Sequence, residues 1–413
     1  MRFKQVIIPL LLVLILVMFN RVFMNTFKMA NSYYLNKPLY SNDVATPQKL
    51  FDKTWHIVAR EYYDKSLNHQ NWNRWKSHYY GKIKTEDDAK VAIDSMIASL
   101  NEPYTRFMTQ KDFDELATSI TSKIYGIGVN IYSNSGKIEI FNVIPSTPAD
   151  LAMLKQGDII IAVDGKDTSG MNVSDVANLV RGPENSIVEL TILRDNKKLT
   201  KKIKRKEIKI KNVKSSVIDN NIGYIQIISF MGGTTPNEFL EALENTSNTD
   251  GLIIDLRGNT GGLLDNAVFV ANMFIQEGEI VEIIYRNGYK KSIHATNEQK
   301  LTDKPLVVLV NGASASASEI LSGALKDYNK AVLIGKKTFG KGLVQKVVPL
   351  PNRTGLNVTI ARYLTPKGTD INKLGIKPDI EVGNEFDFYI NDNKNDVQLN
   401  MAKSVIEEKL HNK

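Results

Sequence analysis

Two runs, GLIIDL at 251–256 and PLVVLV at 305–310, are apolar almost throughout with no polar alternation, and each is followed by a helical pattern, 263–274 and 316–326. A strand with no polar face is covered on both sides, which calls for helices packed on a largely parallel sheet. Strand-like Ile222 to Ile228, helical Pro236 to Leu243 and strand-like Ala331 to Ile334 continue the alternation. The fold class read here is therefore α/β, multidomain, with the layer at 211–383 as its core.

At 413 residues the chain is too long for that layer alone. From Ser122 to Lys209 short β-rich runs, 124–131, 137–143, 158–163 and 186–193, are punctuated by Gly136, Pro145, Gly165 and Pro183, with helical stretches at 148–154 and 172–180. This predicts a β-rich domain over 122–210. Before it, Ala92, Ile93, Met96, Ile97 and Leu100 recur at helical spacing, so 41–121 reads as a helical region whose aromatics, including Trp55, Trp72, Trp75 and Tyr79, are packing groups. The tail, 384–413, is polar and ends in a helix over 397–410.

Residues 1–40 begin with Arg2 and Lys4, followed by an apolar run of 14 residues, Val6 to Phe19. At about 1.5 Å per residue that run covers roughly 21 Å and becomes a marginal span only when continued to Met24. No small-x-small cleavage signal follows, so the expectation is an uncleaved, single-pass anchor and linker in the cell membrane, with the start in the cytoplasm and the rest of the chain extracytoplasmic. The absence of cysteine removes thiolate metal sites and a thiol nucleophile. A formal charge of +8 is a modest surplus, and the run KKLTKKIKRKEIKIKNVK reads as a solvated strand face, so no nucleic-acid partner is expected.

Four segments can carry chemistry. In VLVNGASASASEI, at 308–320, a buried strand leads through small residues into a helix start, where unpaired N–H groups favour a developing anion. Ser314, Ser316 and Ser318 compete for the nucleophile there, and Ser316 with Glu319 also spells a capping box. The base is His294, the one histidine in the α/β part, or a lysine drawn from Lys326, Lys336, Lys337 and Lys341. Lys341 stands between Gly340 and Gly342, with Phe339, Leu343 and Val344 available to desolvate it and Gln345 one helical turn further on. The turn DLRGNTGG, 255–262, points N–H groups at an anion but lacks a phosphate-loop signature. YGIGV, 125–129, offers N–H groups to a peptide carboxylate beside a strand edge.

Taken with LNEPYTRFMT, NVIPSTPADLAMLKQGDIIIAVDG, KTFGKGLVQ and YLTPKGTDINKLGIKPDI, these segments resemble, in order, the C-terminal processing peptidases, PDZ-containing serine proteases, over about residues 45–380. The resemblance implies a PDZ domain at 122–210 and a crotonase-like α/β protease core. It also implies a Ser-Lys dyad of Ser316 and Lys341, with Gln345 orienting the lysine. Gly262 and Ala317 would supply the oxyanion hole, and Gly126, Ile127, Gly128 and Val129 the peptide-binding loop. The implied partners are polypeptides with exposed C-termini and a membrane, with a homo-oligomer as an option; no metal or organic cofactor is implied. A non-catalytic peptide-binding scaffold is the competing reading, and loss of Ser316 or Lys341 would have marked it.

Overall fold

The computed structural model describes residues 41, 43–121, 123–209, 211–219, 221–296, 300–384 and 396–411. The expected anchor at 1–40 lies outside the described residues, among which no helix is long and apolar enough to cross a membrane. The chain forms two compact units, 118–214 and the remainder.

The larger unit opens with helices α1 (Pro47–Glu61), α2 (Asn73–Tyr79) and α3 (Glu86–Ala98). Thr46 caps α1 by accepting the N–H of Lys49, and Thr85 with Asp88 closes a capping box on α3. Their apolar faces, among them Phe51, Val58, Tyr62, Ile93 and Met96, share one core with Leu350, Leu356 and Val358. The tryptophans belong to that packing, Trp55 Nε1 donating to the carbonyl of Trp72 at 3.0 Å. Strand β1 (Arg106–Met108) and helix α4 (Gln110–Thr121) lead to the smaller unit.

There the order is β2 (Lys123–Gly126), β3 (Val129–Asn134), β4 (Lys137–Val143), α5 (Pro148–Leu151), β5 (Ile159–Val163), β6 (Lys166–Asp167), α6 (Val173–Val180), β7 (Ile187–Arg194), β8 (Lys197–Lys204) and β9 (Lys206–Lys209). The main sheet runs β3-β4-β5-β7-β8, with β6 on β5, while β2 pairs with β9. Ile127, Ile140, Ile160, Val176, Leu190 and Ile192 fill its core. The single strand expected over 124–131 is two strands, broken where Gly128 takes φ +90°. On β8 lysines point to solvent while Ile203 turns inward, the solvated strand face expected of the basic run.

The larger unit resumes with β10 (Val213–Ile218), β11 (Ile222–Ile227), α7 (Thr235–Asn245), β12 (Gly251–Asp255), α8 (Leu264–Asn272), β13 (Gly278–Tyr285), β14 (Lys290–Ala295), β15 (Leu306–Val310), α9 (Ala317–Asp327), β16 (Val332–Gly335), β17 (Leu343–Pro349), β18 (Gly355–Leu364), β19 (Ile380–Glu381) and α10 (Val397–His411). One sheet runs β10-β11-β12-β15-β16-β19, and its β11/β12, β12/β15, β15/β16 and β16/β19 pairs are parallel. Every residue of β12 and β15 is buried, as the continuous apolar runs require. Helix α10 covers this sheet through Leu399, Ala402 and Ile406. A second, antiparallel sheet runs β1-β18-β13-β14 with β17 on β18.

Candidate active site

Three connections at the carboxyl ends of β12, β15 and β16 meet around the turn before α9. That position follows from parallel topology, which gathers successive strand-to-helix turns on one rim. In the first turn Asn259 acts as a hub. Its Oδ1 accepts the N–H of Gly261 at 2.8 Å, and its carbonyl accepts the N–H of Ala315 at 3.0 Å and the Ser318 hydroxyl at 2.9 Å. The turn is anchored from below by Arg257, which pairs with Asp255 and, 2.8 Å away, with Asp396 at the start of α10. A Cβ at Gly261 would lie 2.9 Å from the Ser316 Cβ and 3.0 Å from the Ala317 nitrogen, and one at Gly262, φ +147°, would strike the Phe230 carbonyl carbon at 2.2 Å. Only glycine permits this approach.

The same geometry separates the three serines. Ser314 is fully buried and donates to the carbonyl of Leu256 at 2.8 Å, and Ser318 is equally buried on Asn259. Ser316 is half-buried; it closes the capping box with Glu319 that the sequence spelled, the N–H of Glu319 also meeting the Ser316 carbonyl at 2.8 Å, and its hydroxyl donates to no acceptor among the described residues. Its backbone sits at φ +54°, a strained conformation for a residue with a side chain. Just beyond it the N–H groups of Gly262 and Ala317 have no intramolecular partner among the described residues.

Glu319, read from the sequence as half of a capping box, does more than cap. Fully buried, its Oε2 accepts the N–H of Ser316 at 2.8 Å and that of Lys341 at 2.9 Å. Its Oε1 accepts the N–H of Gly340 at 2.7 Å and the Thr338 hydroxyl at 2.6 Å. One carboxylate therefore fastens the serine turn to the glycine-flanked lysine. The Tyr363 hydroxyl adds a second tie, 2.6 Å from the carbonyl of Lys341 and 3.1 Å from that of Ser316. Tyr363 opens the segment YLTPKGTDINKLGIKPDI, but nothing in the sequence gave it this role, because β18 brings it in from the antiparallel sheet.

Among the lysines, Lys326 pairs with Asp379 and Lys336 with Glu381, and Lys337 is exposed. Lys341 is half-buried, and desolvation holds its pKa below the ordinary lysine value, with Arg106 acting in the same direction and Glu102 and Glu319 opposing. Phe339 does not supply that cover, being 55% exposed. Tyr104, which sequence reasoning did not single out, lies beneath the amine: Lys341 Nζ is 4.5 Å from its ring centroid. Gln345 is not on a helical turn but on β17, and its amide donates to the Thr359 hydroxyl at 3.4 Å. His294 is exposed on β14 opposite Glu279. Among the described residues no group of acidic and histidine side chains is arranged to hold a metal ion.

In the smaller unit, Gly126 ends β2, Ile127 is buried, Gly128 turns the chain and Val129 begins β3. A Cβ at Gly128 would lie 2.3 Å from the Thr147 side chain. The carbonyls of Ile127 and Gly128 accept from Ala149 and Ile144, whereas their N–H groups have no partner among the described residues. β3 is an edge strand with α6 packed against it. An edge strand can accept an added strand, and two free N–H groups at its start can accept an anion.

Residues 221–382 match the family model of peptidase family S41, and residues 139–194 that of the PDZ domain. A carboxyl-terminal-processing protease from Synechocystis sp. is 37% identical over 343 residues, covering 80% of each chain. The carboxy-terminal processing protease CtpA of Bacillus subtilis is 40% identical over 312 residues, covering 74% of this chain and 66% of its own. A solved structure of a photosystem II D1 C-terminal processing protease superposes with a TM-score of 0.55 at 34% identity, covering 82% of this chain and 94% of that one.

Proposed function

Because the chain belongs to peptidase family S41, the carboxyl-terminal-processing serine proteases, we propose that it hydrolyses polypeptides through a Ser316–Lys341 dyad. The observation that carries this reading is the selection among candidates. Ser316 is the serine of the three that is not fully buried and whose hydroxyl donates to no carbonyl among the described residues, and its N–H shares one carboxylate oxygen with that of the partly desolvated Lys341.

In this mechanism the neutral amine of Lys341 takes the proton of Ser316 as the hydroxyl oxygen attacks the scissile carbonyl. The N–H groups of Gly262 and Ala317 receive the oxyanion, and loss of one such donor generally costs about 10²- to 10³-fold in rate. The protonated amine returns its proton to the leaving nitrogen, and water then releases the acyl group from Ser316. Gln345 supports the lysine indirectly, through Thr359.

The PDZ domain selects the substrate, taking a C-terminal carboxylate at Ile127 and Gly128 and adding the peptide as a strand on β3. The apolar run 6–19 supports attachment to a membrane, with the catalytic part extracytoplasmic. To test the dyad, cleavage of an unfolded polypeptide with an apolar C-terminus is compared among wild type, Ser316→Ala and Lys341→Ala. Both variants are expected to fold and to lose cleavage. Retained cleavage in either one overturns the assignment.

A further inference from the structure

The lysine of the proposed dyad does not engage its serine in this structure. Among the described residues no hydrogen bond joins Lys341 Nζ to Ser316 Oγ; the amine lies instead over the face of Tyr104, 4.5 Å from the ring centroid. A ring face attracts a cation through its quadrupole and offers little to a neutral amine. Tyr104 is set in place at both ends of its own backbone. Its N–H donates to Glu102 Oε1 at 2.6 Å, and its carbonyl accepts from Asn357 Nδ2 at 3.1 Å. Glu102 is itself fixed, its Oε2 accepting from the hydroxyls of Thr105 and Thr359, both at 2.8 Å. Thr359 in turn accepts from Gln345. The ring beneath the amine is therefore built into the site.

We propose that Tyr104 is a positioning residue for Lys341: its ring holds the ammonium form away from Ser316, so that the dyad closes only when the amine has lost its proton. The proposal rests on the Ser316–Lys341 reading and adds to it a specific resting arrangement. Four other influences act on the same amine. Burial and Arg106 on β1 disfavour its charge, while Glu102 before β1 and Glu319 on α9 favour it. Tyr104 joins the second group. Removing the ring should weaken the ammonium and make the base available at lower pH.

The test is the pH profile of kcat/KM on a peptide substrate for wild type, Tyr104→Phe and Tyr104→Met. Methionine fills similar space without a ring face. Its acid limb should move down by about one pH unit, with kcat/KM below the wild-type limb rising about tenfold, as expected for a desolvated cation–π contact. Tyr104→Phe should keep the limb where wild type has it. A residue with a merely structural role would lower the plateau without moving the limb. The pH dependence of Ser316 labelling by a fluorophosphonate gives the same limb without a substrate, and Glu102→Gln, which removes a charge that favours the ammonium, should shift it in the same direction. If Lys341→Ala is inactive while the Tyr104→Met limb coincides with wild type, the Tyr104 proposal fails and the dyad stands. If Lys341→Ala cleaves as wild type does, the dyad reading fails and takes this proposal with it.

Discussion

Lys341 stores a cost that the fold bears in order to have a base. Burial holds its folded-state pKa below the ordinary value of 10.5, so between those two values the unfolded chain binds more protons than the native one. Stability therefore rises with pH across that window, and the burden is fully present below it. Lys341→Met should be more stable than wild type at neutral pH, and the advantage should shrink toward pH 10.5; denaturant titrations at several pH values check this. Glu319 tests the opposite case, a buried carboxylate satisfied by four donors. Glu319→Gln keeps the shape but turns an amide N–H₂ toward N–H groups. Loss of about 2 kcal/mol is expected, along with a fall in kcat larger than any change in KM, measured by thermal melts and steady-state kinetics. The sequence placed Ser316, Glu319 and Lys341 among the candidates. What it lacked was the information that Ser314 and Ser318 are spent on backbone carbonyls, because those partners, Leu256 and Asn259, lie more than fifty residues away in the chain.

Helix α10 shows how a polar tail becomes part of the core. Its 3.6-residue spacing was readable, but its docking site on β12, β15 and β16 was not, since that site exists only after the parallel sheet has assembled. Contact is close enough that a Cβ on Gly251 would lie 2.3 Å from Ile406 Cγ2. Gly251→Ala should cost about 2 kcal/mol through overpacking and Ile406→Ala about 3 kcal/mol through a cavity. The double variant should cost less than the sum, because the added methyl enters the vacated space. A double-mutant cycle by chemical denaturation decides, and strict additivity would show that the two do not meet. The helix start also reaches the site, as Asp396 accepts the N–H of Leu399 while pairing with Arg257 beneath the glycine turn. Strands β13, β14, β17 and β18 went unread because they lie in an antiparallel sheet whose pairing, not whose composition, makes them strands; Gln345 was misplaced on a turn for that reason.

At the scale of the molecule, the PDZ unit carries its own apolar core and closes its ends by pairing β2 with β9. Residues 118–214 expressed alone should unfold cooperatively and bind an apolar peptide with a free C-terminus at least tenfold more tightly than its amide. Fluorescence anisotropy on the two peptides measures this, and equal affinities would remove the carboxylate role of Ile127 and Gly128. The sequence by itself determined the α/β layer, the β-rich insertion, the helical entry and the short list of reactive residues, because periodicity, glycine turns and capping patterns are local and act over a few residues. Only the tertiary structure decided which hydroxyl gives its proton to no carbonyl, which amine is partly desolvated and which ring it rests on. Those properties depend on burial and on partners supplied by distant segments, and desolvation acts only once the chain has closed around the group.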